Sequence, residues 1–138
     1  GLRALPLTAG TPYDNRYLRS VFSFKDAAQA AGLGAIGKNS LPITQDHGPR
    51  VRLSCCLAEV QLEPTRDIKP WKCAGCRICI DVCPPGALSE PGGGEAYAIN
   101  QFACSSFLGA SGCCCYECQR LCPAGPLRKR PYKKMVSI

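Results

Sequence analysis

An α+β fold in two unequal parts is what this sequence predicts: a small helix–hairpin portion before residue 65, then a cysteine-rich module. Three observations carry the prediction. A capped, alanine-rich stretch from Ser23 to Ala31 reads as a helix. Val51, Leu53, Cys55 and Leu57 alternate with Arg52, Ser54, Cys56 and Ala58, the period-two pattern of a strand with one buried face. A cysteine ladder then occurs twice between residues 73 and 122, in a chain of 138 residues with 12 cysteines.

Residues 1–20 hold prolines, a turn at Thr8-Ala-Gly-Thr11 and mixed polarity, and are expected to be largely irregular. Ser23-Phe24-Lys25-Asp26 has the form of a capping box, with the Ser23 hydroxyl free to accept an early backbone N–H. Ala27, Ala28, Gln29, Ala30 and Ala31 favour the helix. Gly32 and Gly34 stop it through a left-handed C-cap. Gly32-Leu-Gly34-Ala-Ile-Gly37 fits the spelling of a dinucleotide fingerprint, but that fingerprint follows a strand and opens a helix. Here it closes one, so it reads as a tight helix-to-strand connection. Lys38 lacks the spacing of a phosphate-binding loop. Ser40 to Thr44 reads as a short strand, confined by Pro42 to a sheet edge. Asp46-His47-Gly48-Pro49 is a turn, and the strands on either side of it are expected to form the hairpin. His47, the single histidine, reads as a polar loop residue. Residues 61–72 connect to the cysteine region. Glu90-Pro-Gly-Gly-Gly-Glu95 is a flexible loop between the two ladders, and Ala98 to Phe107 reads as a short strand or turn carrying Cys104.

The first ladder is Cys73-Ala-Gly-Cys76-Arg-Ile-Cys79-Ile-Asp-Val-Cys83-Pro84. The second, Cys115-Tyr-Glu-Cys118-Gln-Arg-Leu-Cys122-Pro123, has Gly112 where the first has its leading cysteine. C-x2-C-x2-C-x3-C-P is the ligand spacing of a [4Fe–4S] ferredoxin-type site, and in two-cluster proteins the fourth cysteine ligates the other cluster. Applied here, cluster I takes Cys73, Cys76, Cys79 and Cys122. Cluster II takes Cys83, Cys115, Cys118 and one more. Cys104 is the choice for that ligand, because a loop cysteine can reach back; Cys113 or Cys114 is the alternative. Zinc ribbons also use paired C-x2-C, but they need neither the third cysteine nor the repeated Cys-Pro. Cys55 reads as a core residue on the apolar face of its strand, and Cys56 is unassigned.

So many cysteines in a secreted chain would mean disulfides. No charged n-region leads into an apolar h-region, and no apolar stretch is long enough to span a bilayer. Reduced cysteines and a cytoplasmic setting, with no membrane partner, are expected. The formal charge of +7 counts the thiols as neutral. Two oxidised cubanes would each bring about −2, leaving about +3, so the charge does not argue for nucleic acid. The remaining positive charge gathers in the C-terminal tail, at Arg128-Lys129-Arg130 and Lys133-Lys134, which is expected to be a solvated end. Beginning at Gly1 rather than Met, the chain reads as a piece of a longer one.

Ala31-Gly-Leu-Gly-Ala-Ile-Gly-Lys-Asn-Ser-Leu41, then His47-Gly-Pro-Arg-Val-Arg-Leu53, then the cysteine run, resembles the epoxyqueuosine reductase family. Corrinoid-dependent reductive dehalogenases share the same order of segments. The match runs from about Ser23 to Gly125. The resemblance implies a cobalamin domain of nitroreductase-like fold followed by a ferredoxin-like module whose clusters reduce the corrinoid. It divides the chain into residues 1–65, a remnant of the cobalamin-type domain; 66–127, a ferredoxin-like domain with two [4Fe–4S] clusters; and 128–138, a basic tail. Cys104-Ser105-Ser106-Phe107 resembles the family's Cys-x-Ser-Tyr segment, which favours Cys104 as the eighth ligand. Gly34, Gly37, Lys38 and Ser106 would lie toward the corrinoid.

There are departures. Most of the cobalamin domain's N-terminal half is missing. Leu18 stands where epoxyqueuosine reductases carry an aspartate proton donor, and Asp14 is nearby but out of register. Ala35 replaces the usual tryptophan, Pro42 the usual leucine, and the second ladder ends Cys-Pro-Ala-Gly. The sequence assigns no catalytic residue. The expectation is an oxidoreductase-type iron–sulfur protein passing low-potential electrons to a corrinoid or other redox partner, with an electron donor protein or a chain completing the cobalamin domain as partners. A fragment or divergent member of a cobalamin-dependent reductase is one alternative, and a partner protein with structural clusters another.

Overall fold

The computed structural model describes residues 1–7, 12–63, 73, 75–112 and 115–125. The turn at 8–11, most of the connection 61–72, Cys113, Cys114 and the basic tail lie outside the described residues. In order, the elements are β1 (Ala4–Leu7), β2 (Tyr13–Asp14), β3 (Arg19–Ser20), α1 (Phe24–Ala30), β4 (Gly34–Ile36), β5 (Pro42–Thr44), β6 (Cys55–Ala58), α2 (Ile78–Asp81), β7 (Leu88–Ser89), β8 (Ala98–Ile99), α3 (Gln101–Ser111) and α4 (Glu117–Arg120). Among the described residues the strands pair into four two-stranded antiparallel sheets: β1 with β6, β2 with β3, β4 with β5, and β7 with β8. The α+β class holds.

Helix α1 starts and stops as its sequence dictates. Ser23 Oγ accepts from the Asp26 N–H at 3.3 Å. At the other end, Leu33 N–H donates to Ala28 O and Gly32 N–H to Gln29 O, with Gly32 at φ 70°. That pair of bonds is a Schellman motif, and the left-handed glycine lets the chain reverse into β4.

Four expectations need correction. Residues 1–20 are not largely irregular, since β1, β2 and β3 lie there. The predicted hairpin is replaced by another: β5 pairs with the preceding β4, while β6 pairs with β1 from the chain's beginning. The connection carries Arg50 into the cysteine module, so the alternating stretch becomes a strand only from Cys55. Cys55 is half-buried rather than core, because that ribbon leaves Leu5 and Leu57 exposed. Finally, Cys104 rides not on a strand or turn but on α3. Asn100 Oδ1 caps that helix by accepting from Ala103 N–H at 3.0 Å, and Gly112 closes it at φ 61°.

Gly112 is thereby explained. The position matching the first ladder's leading cysteine is the left-handed end of a helix, where a Cβ is strained. Cys104 lies on the helix that this glycine ends.

The buried centre is small: Ile43 of β5 packs with Cys122 and Ala124. Gly34 must be glycine here, since a Cβ would stand 2.3 Å from Ile43 O. The core therefore lies between the β4–β5 hairpin and the second ladder. Among the described residues, no helix is long and apolar enough to cross a membrane.

Candidate metal centre

The short helices α2 and α4 each follow the first cysteines of a ladder and pack against one another. Their four-residue length follows from the prolines after Cys83 and Cys122, which cannot continue a helix. This packing brings the ladders into two sets of thiols.

In the first, Cys73, Cys76, Cys79 and Cys122 line one hollow together with Lys38, Asn39, Ile43 and Pro123. Burial pushes the Cys79 thiol up to about 11, with Cys73, Cys122 and Cys76 adding to the rise. Cys122 is also raised, by burial first, while the Ala124 N–H and Arg50 pull it back. In the second set, Cys104 is raised by burial and then by Cys83 and Cys115. Burial again leads in taking Cys118 up to about 11, followed by Cys115, Cys79, Cys83 and Cys104. The two sets adjoin where α2, which carries Cys79, packs against α4, which carries Cys118. The Ala87 N–H donates to Cys83 Sγ at 3.2 Å, from the first residue past the Pro-Pro-Gly turn able to do so.

The hollow brings together Cys73, Cys76, Cys79 and Cys122, while Cys104 feels Cys83 and Cys115. Among the described residues, no three His, Cys, Asp or Glu side chains are grouped to hold a single metal ion. A cubane asks for something wider, four sulfurs around a hollow with one thiolate per iron. The donor set suits such a group in number and kind, and backbone N–H groups already stand on Cys83 and Cys122. The ten described cysteines are all unbridged.

The segments flanking the turn at 46–49 clamp this arrangement from the hairpin side. Lys38 Nζ donates to Cys76 O at 3.2 Å and pairs with Glu90 at 2.7 Å. Asn39 Nδ2 donates to Cys118 O at 3.4 Å. The Arg50 guanidinium gathers three carbonyls, those of Gln119 (3.3 Å), Cys122 (3.0 Å) and Ala124 (2.5 Å). Gln119 returns a bond from Nε2 to Pro49 O at 2.6 Å. Carbonyls at and just past the end of α4 have no helical partner, and Arg50 satisfies them while placing positive charge at the negative end of the helix. Beneath it, the backbones of Gly48 and Gly125 cross so closely that a Cβ on Gly48 would stand 1.9 Å from Ala124 O.

Sequence reasoning missed the roles of Asn39, Arg50, Glu90 and Gln119. A signal existed for Arg50: a glycine and a proline set it rigidly after a turn. Of the residues expected to face a corrinoid, Gly34 and Gly37 pack against Ile43, Lys38 faces the first cysteine set, and Ser106 is exposed on α3, not among the residues lining the hollow. Leu18 occupies the β2–β3 turn at φ 50°. Asp14 is bonded by Arg16, which holds its carboxyl below the usual carboxylate range. His47 is an exposed turn residue, as expected.

No protein-family model matches the chain. An epoxyqueuosine reductase of Bacillus subtilis is 35% identical over 86 residues, 62% of this chain and 21% of that protein. Another, from Gloeobacter violaceus, is 45% identical over 64 residues, 46% of this chain and 20% of its own length. A tetrachloroethene reductive dehalogenase of Desulfitobacterium hafniense is 32% identical over 117 residues, covering 69% of this chain and 21% of that enzyme. The chain is a relative of the epoxyqueuosine reductases and reductive dehalogenases. It spans about a fifth of the length of these curated relatives. The epoxyqueuosine reductase of Streptococcus thermophilus superposes with a TM-score of 0.61 at 22% identity, over 91% of this chain and 35% of that one. That likeness shows a shared fold, mixed α and β with small sheets.

Proposed function

We propose that this chain is an iron–sulfur electron-transfer unit holding two [4Fe–4S] clusters, with a corrinoid or another redox partner as electron acceptor. The observation that carries the reading is the sorting of eight cysteines into two adjoining groups of four by a fold that interleaves the ladders. Cys73, Cys76, Cys79 and Cys122 would hold cluster I; Cys83, Cys104, Cys115 and Cys118 would hold cluster II. Bound there, the clusters would supply low-potential one-electron chemistry. The protein's part is to fix the thiols, exclude water around Cys79 and Cys122, and keep the two groups in contact through α2 and α4, the incoming iron displacing the thiol protons. On this reading, residues 66–127 form a ferredoxin-like module and 1–65 part of a nitroreductase-like cobalamin domain, completed by further chain or a partner. A cytoplasmic setting and an electron donor protein belong to the same proposal.

The test is anaerobic reconstitution with iron and sulfide. About eight irons per chain and a cubane EPR signal on dithionite reduction are expected. Stoichiometric zinc with no iron taken up would sink the reading. Titration with cob(II)alamin then tests the acceptor: loss of the axial nitrogen from the cobalt EPR signal places a corrinoid beside the chain, and an unchanged signal leaves a dicluster carrier.

The names of the relatives favour a second reading, a divergent part of a cobalamin-dependent reductase acting on epoxyqueuosine or an organohalide. Asp14 gives it little support as a proton donor, since Arg16 favours its ionised form. A longer parent chain that binds no corrinoid and turns over neither substrate class would end it. Clusters resistant to dithionite would instead favour a structural role in a partner protein.

A further inference from the structure

A backbone N–H stands on a thiol of each set, Ala124 on Cys122 and Ala87 on Cys83, but the cations differ. Lys38 Nζ stands on Cys76 O at 3.2 Å and Arg50 on Cys122 O at 3.0 Å, both cations on ligands of the first set. In the second set, Cys118 O takes a neutral amide from Asn39 and Cys83 Sγ takes the Ala87 backbone N–H. We infer that Lys38 sets the reduction potential of the first set's cluster and holds it above that of the second, so that the first electron to enter settles on the side of Cys73, Cys76, Cys79 and Cys122. The inference rests on the cluster reading proposed above.

Lys38 belongs to a chain of four charges. Glu90 bridges it to Arg77 at 2.7 and 3.1 Å, and Arg77 reaches Asp81 at 3.6 Å. The formal charges cancel, but their solvation does not. The Lys38 side chain is 15% exposed, against 41% for Glu90, 54% for Arg77 and 60% for Asp81. Water and salt screen the three outer charges, whereas the sunken ammonium acts through low-dielectric surroundings on the hollow it lines. Positive charge there stabilises whichever cluster state carries the extra electron. Glu90 holds the ammonium in place and trims its field.

The test is an EPR-monitored redox titration of the iron- and sulfide-loaded chain, as wild type, Lys38→Met, Lys38→Arg and Glu90→Gln. Two reduction steps are expected in the wild type. Lys38→Met should move the upper step downward and leave the lower one in place, Lys38→Arg should restore it, and Glu90→Gln should move the upper step upward by a smaller amount. Opposite signs from the two partners of one ion pair are not what a merely structural role would produce. If Lys38→Met fails to load iron, the sign of the Glu90→Gln shift decides. Intact cubane signals with unmoved potentials, or a shift confined to the lower step, overturn the inference alone. Absence of cubane signals from the wild type overturns the cluster reading and this inference together.

Discussion

The β1–β6 ribbon and the β4–β5 hairpin are both two-stranded and both short, yet they end up in different environments. In the ribbon, Leu5 is 60% exposed and Leu57 51% exposed. In the hairpin, Ile43 is 2% exposed and packed against Cys122 and Ala124. Strand length does not make the difference, for the ribbon has the longer strands. The hairpin is closed by what its loops do: Lys38, Asn39 and Arg50 each reach backbone carbonyls of the ladders, and two glycines let the chains cross. A two-stranded sheet is marginal by itself in water, and side-chain-to-backbone bonds to the cysteine ladders are what secure this one.

The comparison breaks most severely at Gly48. With φ at +59° and a Cβ position 1.9 Å from Ala124 O, Gly48→Ala should cost about 3 kcal/mol. Urea unfolding of the reconstituted chain measures it, with iron released at lower denaturant. Gly92→Ala, where a Cβ meets nothing within 4 Å, should stay within about 0.5 kcal/mol.

Next in size, Arg50→Gln strands carbonyls of Gln119, Cys122 and Ala124. Its expected cost is about 1–3 kcal/mol, read in the same experiment; an unchanged midpoint would show that the clamp is dispensable.

The metal-free chain should respond to pH in one direction. Burial raises Cys79 and Cys118 from 9.0 to about 11 in the folded state. A raised folded value means that the fold binds the proton more tightly than the unfolded chain does, so this contribution is complete below pH 9 and is lost as pH climbs toward 11. Thermal unfolding of the metal-free chain should therefore fall in temperature across that window, and a rise would contradict the burial argument. Metal loading should release protons from the same thiols.

The smallest effect is expected on the ribbon. Leu57→Ser removes an exposed side chain and should change stability by no more than about 0.5 kcal/mol; a larger loss would mean that β1–β6 contributes as much as the hairpin does.

What was legible in the sequence was local. The Ser23 cap, the Gly32 stop and the turn at 46–49 each depend on residues within one or two turns of the chain, and all three stand in the structure. The hollow shared by Cys73, Cys76, Cys79 and Cys122 joins the two ladders across more than forty residues, so local spacing alone does not bring it together. The strand pairing was not legible, because β6 finds its partner at the beginning of the chain, in a segment whose Pro6 and exposure pattern do not advertise a strand. Helix α3 was overlooked although Asn100 and Gly112 bracket it as cap and stop. None of its residues is buried, and its apolar residues carry little periodic signal.

The crossing of Gly48 and Gly125 also bears on time. Both ladders lie between these glycines, so the cradle cannot shut while the chain is still being synthesised through the second ladder. Cys73, Cys76 and Cys79 emerge first and wait for Cys122, whose arrival brings Ala124 and Gly125 with it. During that interval the early thiols are open to oxidation and to stray metal ions, and on the proposed cluster reading iron and sulfide are best delivered only after Cys122 has appeared.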